Sequence, residues 1–298
     1  MIDKALFAQI RRIQVRTNRL VTEVMAGGYS SVFRGSGIEF DEVREFADGD
    51  DPRAVDWNVT ARTGRPFVKK FVEERELTVL FVLDLSASLR FGGVGAAAKR
   101  PREAAAEFCA CLALAAARNH DRVGLIAFSD RIERFVPASK GSRHILRLIR
   151  EALALQAAGT GSQLGAALEY AGRVQRKRAV VFVISDFLAV GDFARPLALL
   201  ARRHDVVAVR VLAPTTVELP AAGLLHLRDL ETGRAQWIDT SSPRVRAAHA
   251  LRMRSWREEL LGVLRRAKVD LLEVRTDRSV ADPIVAFFRM RELRGARG

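Results

Sequence analysis

Three side chains at alternating positions, Asp84, Ser86 and Ser88, follow directly on an apolar run in the stretch VLFVLDLSASLRFG. A second carboxylate, Asp186, follows the apolar run AVVFVIS in the same way. A third segment, AAGTGSQLGAAL, places the hydroxyls of Thr160 and Ser162 just ahead of a helical pattern. Two carboxylates and several hydroxyls, with no thiolate or imidazole among them, form a hard-oxygen donor set. Such a set suits Mg²⁺ first, with Mn²⁺ or Ca²⁺ as alternatives.

Other chemistries fit these residues less well. A haloacid-dehalogenase phosphatase also sets an Asp nucleophile after its first strand, but it needs a second Asp two positions later, where Ser86 stands. The stretch GGVGAAAK, Gly92 to Lys99, lacks the glycine before its lysine and the hydroxyl after it that a phosphate loop requires. The GSG at Gly35 to Gly37 has no strand-turn-helix context for a nucleophile elbow. Asp48, Asp50 and Asp51 lack EF-hand spacing and read as turn carboxylates for Arg44, Arg53 or Arg62. Cys109 and Cys111 are two apart on an expected helix and face different sides, and the five histidines are scattered, so a zinc site is not expected.

The elements that must hold the donor set alternate. Apolar residues at helical spacing from Ile2 to Val24 give an amphipathic first helix ending near Gly27-Gly28. Tyr29 to Arg75 is irregular, with an extended piece at Pro66 to Val72; Phe40, Phe46 and Trp57 are expected there as packing anchors, with a partner-binding surface as the alternative. Strands follow at Thr78–Leu83, Val123–Phe128, Ala179–Ile184, Val206–Leu212 and Val269–Val274, with a short edge strand at Arg134–Val136. Helices are expected at Pro101–Asn119, Ser142–Gln156, Ser162–Gln175, Asp192–Arg203, Pro243–Lys268 and Pro283–Leu293. A hairpin insertion lies near residues 214–242, its strands within Leu224 to Asp239. Continuously apolar strands alternating with helices specify an α/β fold, a doubly wound and mostly parallel sheet, here preceded by an N-terminal helix and an irregular β-containing extension. In such a sheet ligands bind beyond the carboxyl ends of the strands, which is where Asp84 and Asp186 fall.

With 298 residues, 49% of them hydrophobic, the chain can bury a substantial core. Its apolar runs are too short to cross a bilayer and its first twenty residues are charged throughout, so it is expected in the cytoplasm. The net charge of +14 keeps a nucleic-acid partner in view. No recognition motif or interleaved aromatics accompany the arginines, which cluster at Arg11 to Arg19 and at Arg244 to Arg266.

The pattern Asp84-x-Ser86-x-Ser88, a hydroxyl loop and then Asp186 resembles the metal-ion-dependent adhesion site of von Willebrand factor type A domains. Aligning GSQLGAAL with that motif's Gly-Thr-Asp-Leu places Ser162 at the threonine, with Thr160 in the same loop. Upstream, GIEFDEVREF, GDDPR and VDWNVTAR closely resemble the bacterial domain-of-unknown-function 58 family, as does ELPAAGLLHLRDLETGR downstream. The resemblance implies a von Willebrand factor type A, Rossmann-like domain over residues 76–298; Phe33, Phe40, Phe46, Trp57, Phe67 and Phe71 are too much apolar surface to leave in water, so residues 1–75 are expected to pack on it. It implies a non-enzymatic, metal-dependent interaction module that partners a MoxR-type AAA+ ATPase or its client through an acidic residue. A basic nucleic-acid-binding protein and a metal-dependent hydrolase are the alternatives.

Overall fold

The computed structural model describes residues 39–47, 50–72, 77–90, 99–188, 191–230 and 233–295. The helix expected from Ile2 to Val24 lies outside them, as does Asp48. The described residues up to Leu77 belong to one compact unit and those from Thr78 onward to another.

In the smaller unit, β1 (Glu39–Glu45) pairs antiparallel with β2 (Phe67–Val72), with a bulge between Phe40 and Glu42. Between them α1 (Trp57–Thr63) starts at Asp56, whose carboxylate accepts the N–H groups of Asn58 and Val59 at 3.0 and 3.3 Å. It stops at Gly64, where φ of +72° favours glycine. The turn carboxylates find the expected arginine: Arg44 grips Asp50 with two hydrogen bonds of 2.8 and 2.6 Å, and Asp51 caps the Arg53 N–H. Trp57 departs from expectation, for it is 72% exposed. It is the first residue of a seven-residue helix with no buried position, so it has no apolar face to join.

The larger unit is built on a six-stranded sheet in the order β10-β7-β6-β3-β4-β5. The central strand β3 (Thr78–Asp84) is flanked by β4 (Arg122–Phe128) and β6 (Val180–Ser185); β7 (Asp205–Leu212) and β10 (Asp270–Arg275) extend the parallel array. The edge strand β5 (Ile132–Ser139), longer than expected, runs antiparallel to β4. From β3 the chain moves outward through β4 and β5, then returns to β6 on the other side of β3. That reversal is the switch point of a doubly wound sheet, where loops part and leave room for a ligand.

Both faces of the sheet are covered. On one face α2 (Pro101–Arg118) presents Phe108, which meets Phe182 edge-on beside Phe81; α3 (Ser142–Ala154) packs against α2, and α8 (Ala281–Gly295) against β10. On the other, Leu80, Val82, Val181, Val183 and Ala208 pack with Leu168 of α4 (Leu164–Val174), Leu197 of α5 (Ala194–Ala201) and Leu260 of α7 (Pro243–Ala267). The short α6 (Pro214–Val217) leads into the expected hairpin, β8 (Leu224–Arg228) against β9 (Ala235–Asp239). Cys109 and Cys111 are both buried. Among the described residues, no helix is long and apolar enough to cross a membrane.

Candidate metal centre at the carboxyl ends of the strands

Asp84 is the last residue of β3 and has no exposed surface. Its Oδ1 accepts the Ser86 N–H at 2.8 Å, the turn that lifts the chain off the sheet. Its Oδ2 accepts the hydroxyls of Ser185 at 2.7 Å and Ser162 at 3.0 Å. Burial pushes its pKa up, while the Ser86 N–H and the surrounding hydroxyls pull against that rise. Beyond it, Ser86 is buried and its Oγ lies 3.1 Å from that of the half-buried Ser88.

Asp186 follows the end of β6 and is 6% exposed; its Oδ1 accepts the Leu188 N–H at 2.9 Å. Burial, and then the charge of Asp84, raise its pKa from 3.8 to about 6. Two buried carboxylates, near enough for the charge of Asp84 to raise the pKa of Asp186, thus lie among neutral hydroxyls. Ionising both in these low-dielectric surroundings is unfavourable, and a divalent cation would relieve it.

The hydroxyl loop between α3 and α4 is tied at several points. Arg102 donates to the carbonyls of Ala152 and Leu155, both at 2.9 Å, and Arg90 to that of Ala157 at 3.3 Å. Gly159 gives its N–H to Glu133 at 3.0 Å, and a Cβ there would collide with the Asp130 carboxylate and Ser129 Oγ. Thr160 accepts the Ala87 N–H at 2.9 Å through its carbonyl while its side chain is exposed. Ser162 is the loop residue whose buried hydroxyl reaches Asp84. The structure therefore brings Asp84, Ser86, Ser88, Ser162 and Asp186 together, and leaves the Thr160 side chain outside.

Two further residues belong to this arrangement and were not singled out from sequence. Ser185 ties β6 to Asp84 and also accepts the Phe187 N–H at 3.0 Å. In the sheet register Ser185 stands beside Arg210, and Arg210 beside Glu273. Since Leu83 pairs with Ile184, Asp84 is next to Ser185, and one polar rung crosses four strands. Arg210 is 2% exposed, donates to Glu273 at 3.1 Å and lies over the Trp256 ring at 4.3 Å. Glu273 also takes a two-point hydrogen bond from Arg257, at 3.1 and 2.9 Å. A lone charge within the apolar run VVAVRVL was the signal available for Arg210.

Nearby carboxylates are otherwise engaged. Glu133 accepts the Ser129 hydroxyl at 2.5 Å besides the Gly159 N–H, and Asp130 pairs with Arg131 at 2.7 Å. Among the described residues, no group of three or more His, Cys, Asp or Glu side chains has the arrangement to hold a metal. Any cation at Asp84 and Asp186 therefore depends on the serine hydroxyls.

A profile of proteins of unknown function, DUF58, matches residues 42–259. The chain belongs to the DUF58 family. An uncharacterised protein of Mycobacterium tuberculosis is 33% identical over 296 residues, spanning 99% of this DUF58 chain and 92% of its own length. Among solved structures, an aerotolerance-related membrane protein of Bacteroides fragilis aligns over 73% of this chain and 99% of its own, with 17% identity and a TM-score of 0.48. Proximal thread matrix protein 1 of the mussel byssus, with a zinc-occupied adhesion-site motif, aligns over 45% of this chain and 38% of its own, at 15% identity and a TM-score of 0.34.

Proposed function

We propose that this DUF58 protein is a non-enzymatic interaction module whose contact with its partner runs through a divalent cation, with Mg²⁺ the first choice. The carrying observation is the pair of buried carboxylates, Asp84 and Asp186, at neighbouring strand ends facing the buried hydroxyls of Ser86 and Ser162. Asp84, Ser86, Ser88, Ser162 and Asp186 would hold the ion, and Ser185 orients Asp84. Asp84 and Asp186 would balance the two charges of the ion while neutral hydroxyls fill further positions, so the ion remains a hard Lewis acid that supplies a position for an oxygen ligand such as a partner carboxylate.

The partner we propose is a MoxR-type AAA+ ATPase or its client, presenting an Asp or Glu. Resemblance to the family supports the partner's identity; the donor set supports the mechanism. A pull-down of the ATPase with Mg²⁺, with EDTA and with Asp84→Ala tests both together. Recovery should fall in the second and third arms, and equal recovery in all three rules out a metal-mediated contact. Calorimetry with Mg²⁺ alone tests the ion: Asp84→Ala or Asp186→Ala should remove most binding. Ser162→Ala should weaken it more than Thr160→Ala.

A further inference from the structure

The hairpin of β8 and β9 has two unlike faces. Register sets Leu224 opposite Asp239, His226 opposite Trp237 and Arg228 opposite Ala235, and side chains at alternate positions of a strand share a face. All six of these residues are exposed, whereas Leu225, Leu227 and Ile238 on the reverse face are half-buried. Trp237 is 66% and Leu224 62% exposed; with Leu230 they make three of the eight large apolar side chains left exposed among the described residues. An apolar patch rimmed by charge, here Arg228 and Asp239, has the composition of a protein contact.

The base of the hairpin is tied to the fold. Thr240 has no exposed surface; its hydroxyl donates to the Gly223 carbonyl at 2.7 Å and accepts the Ala222 N–H at 3.1 Å. Arg246 of α7 donates to the carbonyls of Thr240 and Ser241 at 2.7 and 2.8 Å. A two-stranded ribbon by itself is marginal in water, so this anchoring keeps the open face in shape. At the centre of that face the His226 and Trp237 rings lie with centroids 4.7 Å apart.

We infer that this face receives the same face of a second copy, in a two-fold dimer. Arg228 stands at one corner and Asp239 at the diagonally opposite one, with the aromatic pair between them. A two-fold axis in the plane of contact, perpendicular to that diagonal and passing through the aromatic pair, lays one ribbon on the other. Arg228 of each copy then meets Asp239 of the other, and the two aromatic pairs meet at the axis. The face is self-complementary in charge and in apolar surface. Two chains of net charge +14 repel each other, but residues 214–242 carry Glu218, Asp229, Glu231 and Asp239 against only Arg228 and Arg234, so repulsion is lowered here. Six residues a side are few beside the roughly 20 to 30 of a standard interface, so the dimer is weak and forms at micromolar to millimolar concentration.

Analytical ultracentrifugation of the full chain from about 10 µM to about 1 mM tests this, in EDTA so that no cation-mediated contact contributes. The mean mass of wild type should rise with concentration toward that of a dimer. Trp237→Ala should raise the dimer dissociation constant about tenfold or more. Arg228→Asp and Asp239→Arg should each raise it about tenfold, by setting like charges opposite one another. An equimolar mixture of those two variants should associate as wild type does, because each then offers the charge that the other needs. Thermal melts matching wild type report that the variants fold. A monomer at every concentration, a dimer that Trp237→Ala leaves unchanged, or charge variants that do not recover on mixing overturns the inference.

Discussion

Asp186 links the charge of the site to the stability of the fold. Its folded pKa of about 6 lies above its ordinary 3.8, so between those values the folded protein binds more protons than the unfolded chain. The contribution of Asp186 to the stability of the metal-free protein therefore falls as pH rises through that window, by on the order of 3 kcal/mol for roughly two pKa units. Asp84 is shifted in the same direction by its burial. A bound divalent cation reverses the balance, because it needs both carboxylates ionised and so binds better as protons leave. Urea midpoints at about pH 4 and about pH 7 are the measurement. With EDTA, wild type should lose stability relative to Asp186→Asn between those two pH values, a comparison that cancels the opposite contribution of carboxylates held low by their partners, such as Asp50, Glu273 and Asp277; with saturating Mg²⁺ wild type should instead gain on the variant as pH rises. An inversion absent in wild type would mean that the carboxylates do not share an ion.

At the scale of the elements, the rung from Asp84 through Ser185 and Arg210 to Glu273 welds the switch-point strands to α7. Its two ends respond differently to truncation. Removing Glu273 leaves Arg210 buried without its hydrogen-bonding carboxylate, with only the charge of Asp186 still acting on it, and breaking such a pair typically costs about 3 to 5 kcal/mol. Arg210→Met instead leaves Glu273 paired with Arg257 and puts an apolar side chain under Trp256, so its cost should stay near 1 kcal/mol. Denaturant unfolding of Glu273→Ala and Arg210→Met should give that order; equal losses would mean that the guanidinium itself holds the helix in place. Arg210 stood out only as a lone charge in an apolar run, and the rung was not readable, since it exists only once register sets Arg210 between Ser185 and Glu273. The strand-end donors were readable, because Asp84 and Asp186 each close an apolar run that can only be a core strand. The strand Glu39–Glu45 escaped notice for a local reason: the bulge between Phe40 and Glu42 breaks the alternation that marks a strand. Trp57 was misjudged because ring size argues for burial, whereas a helix this short has no interior to offer.

For the whole molecule, the two terms in a partner's affinity are separable by what disturbs them. The formal charge of +14 and the exposed arginines of α7, Arg244, Arg252 and Arg254, act at a distance on an acidic partner. Such a field raises the rate of encounter and fades as salt shortens the screening length to about 8 Å near physiological ionic strength. A cation at Asp84 and Asp186, as proposed, would act only in contact, so it would govern how long the complex lasts. Surface-plasmon measurements with the proposed partner, a MoxR-type ATPase, should show association slowing as salt increases, with dissociation little changed. EDTA should speed dissociation at constant salt. Reversing the charges of Arg244, Arg252 and Arg254 to Glu should lower the association rate about tenfold at low salt and leave the EDTA effect intact. If the triple variant instead abolished the EDTA effect, the long helix would be part of the contact itself rather than a source of steering.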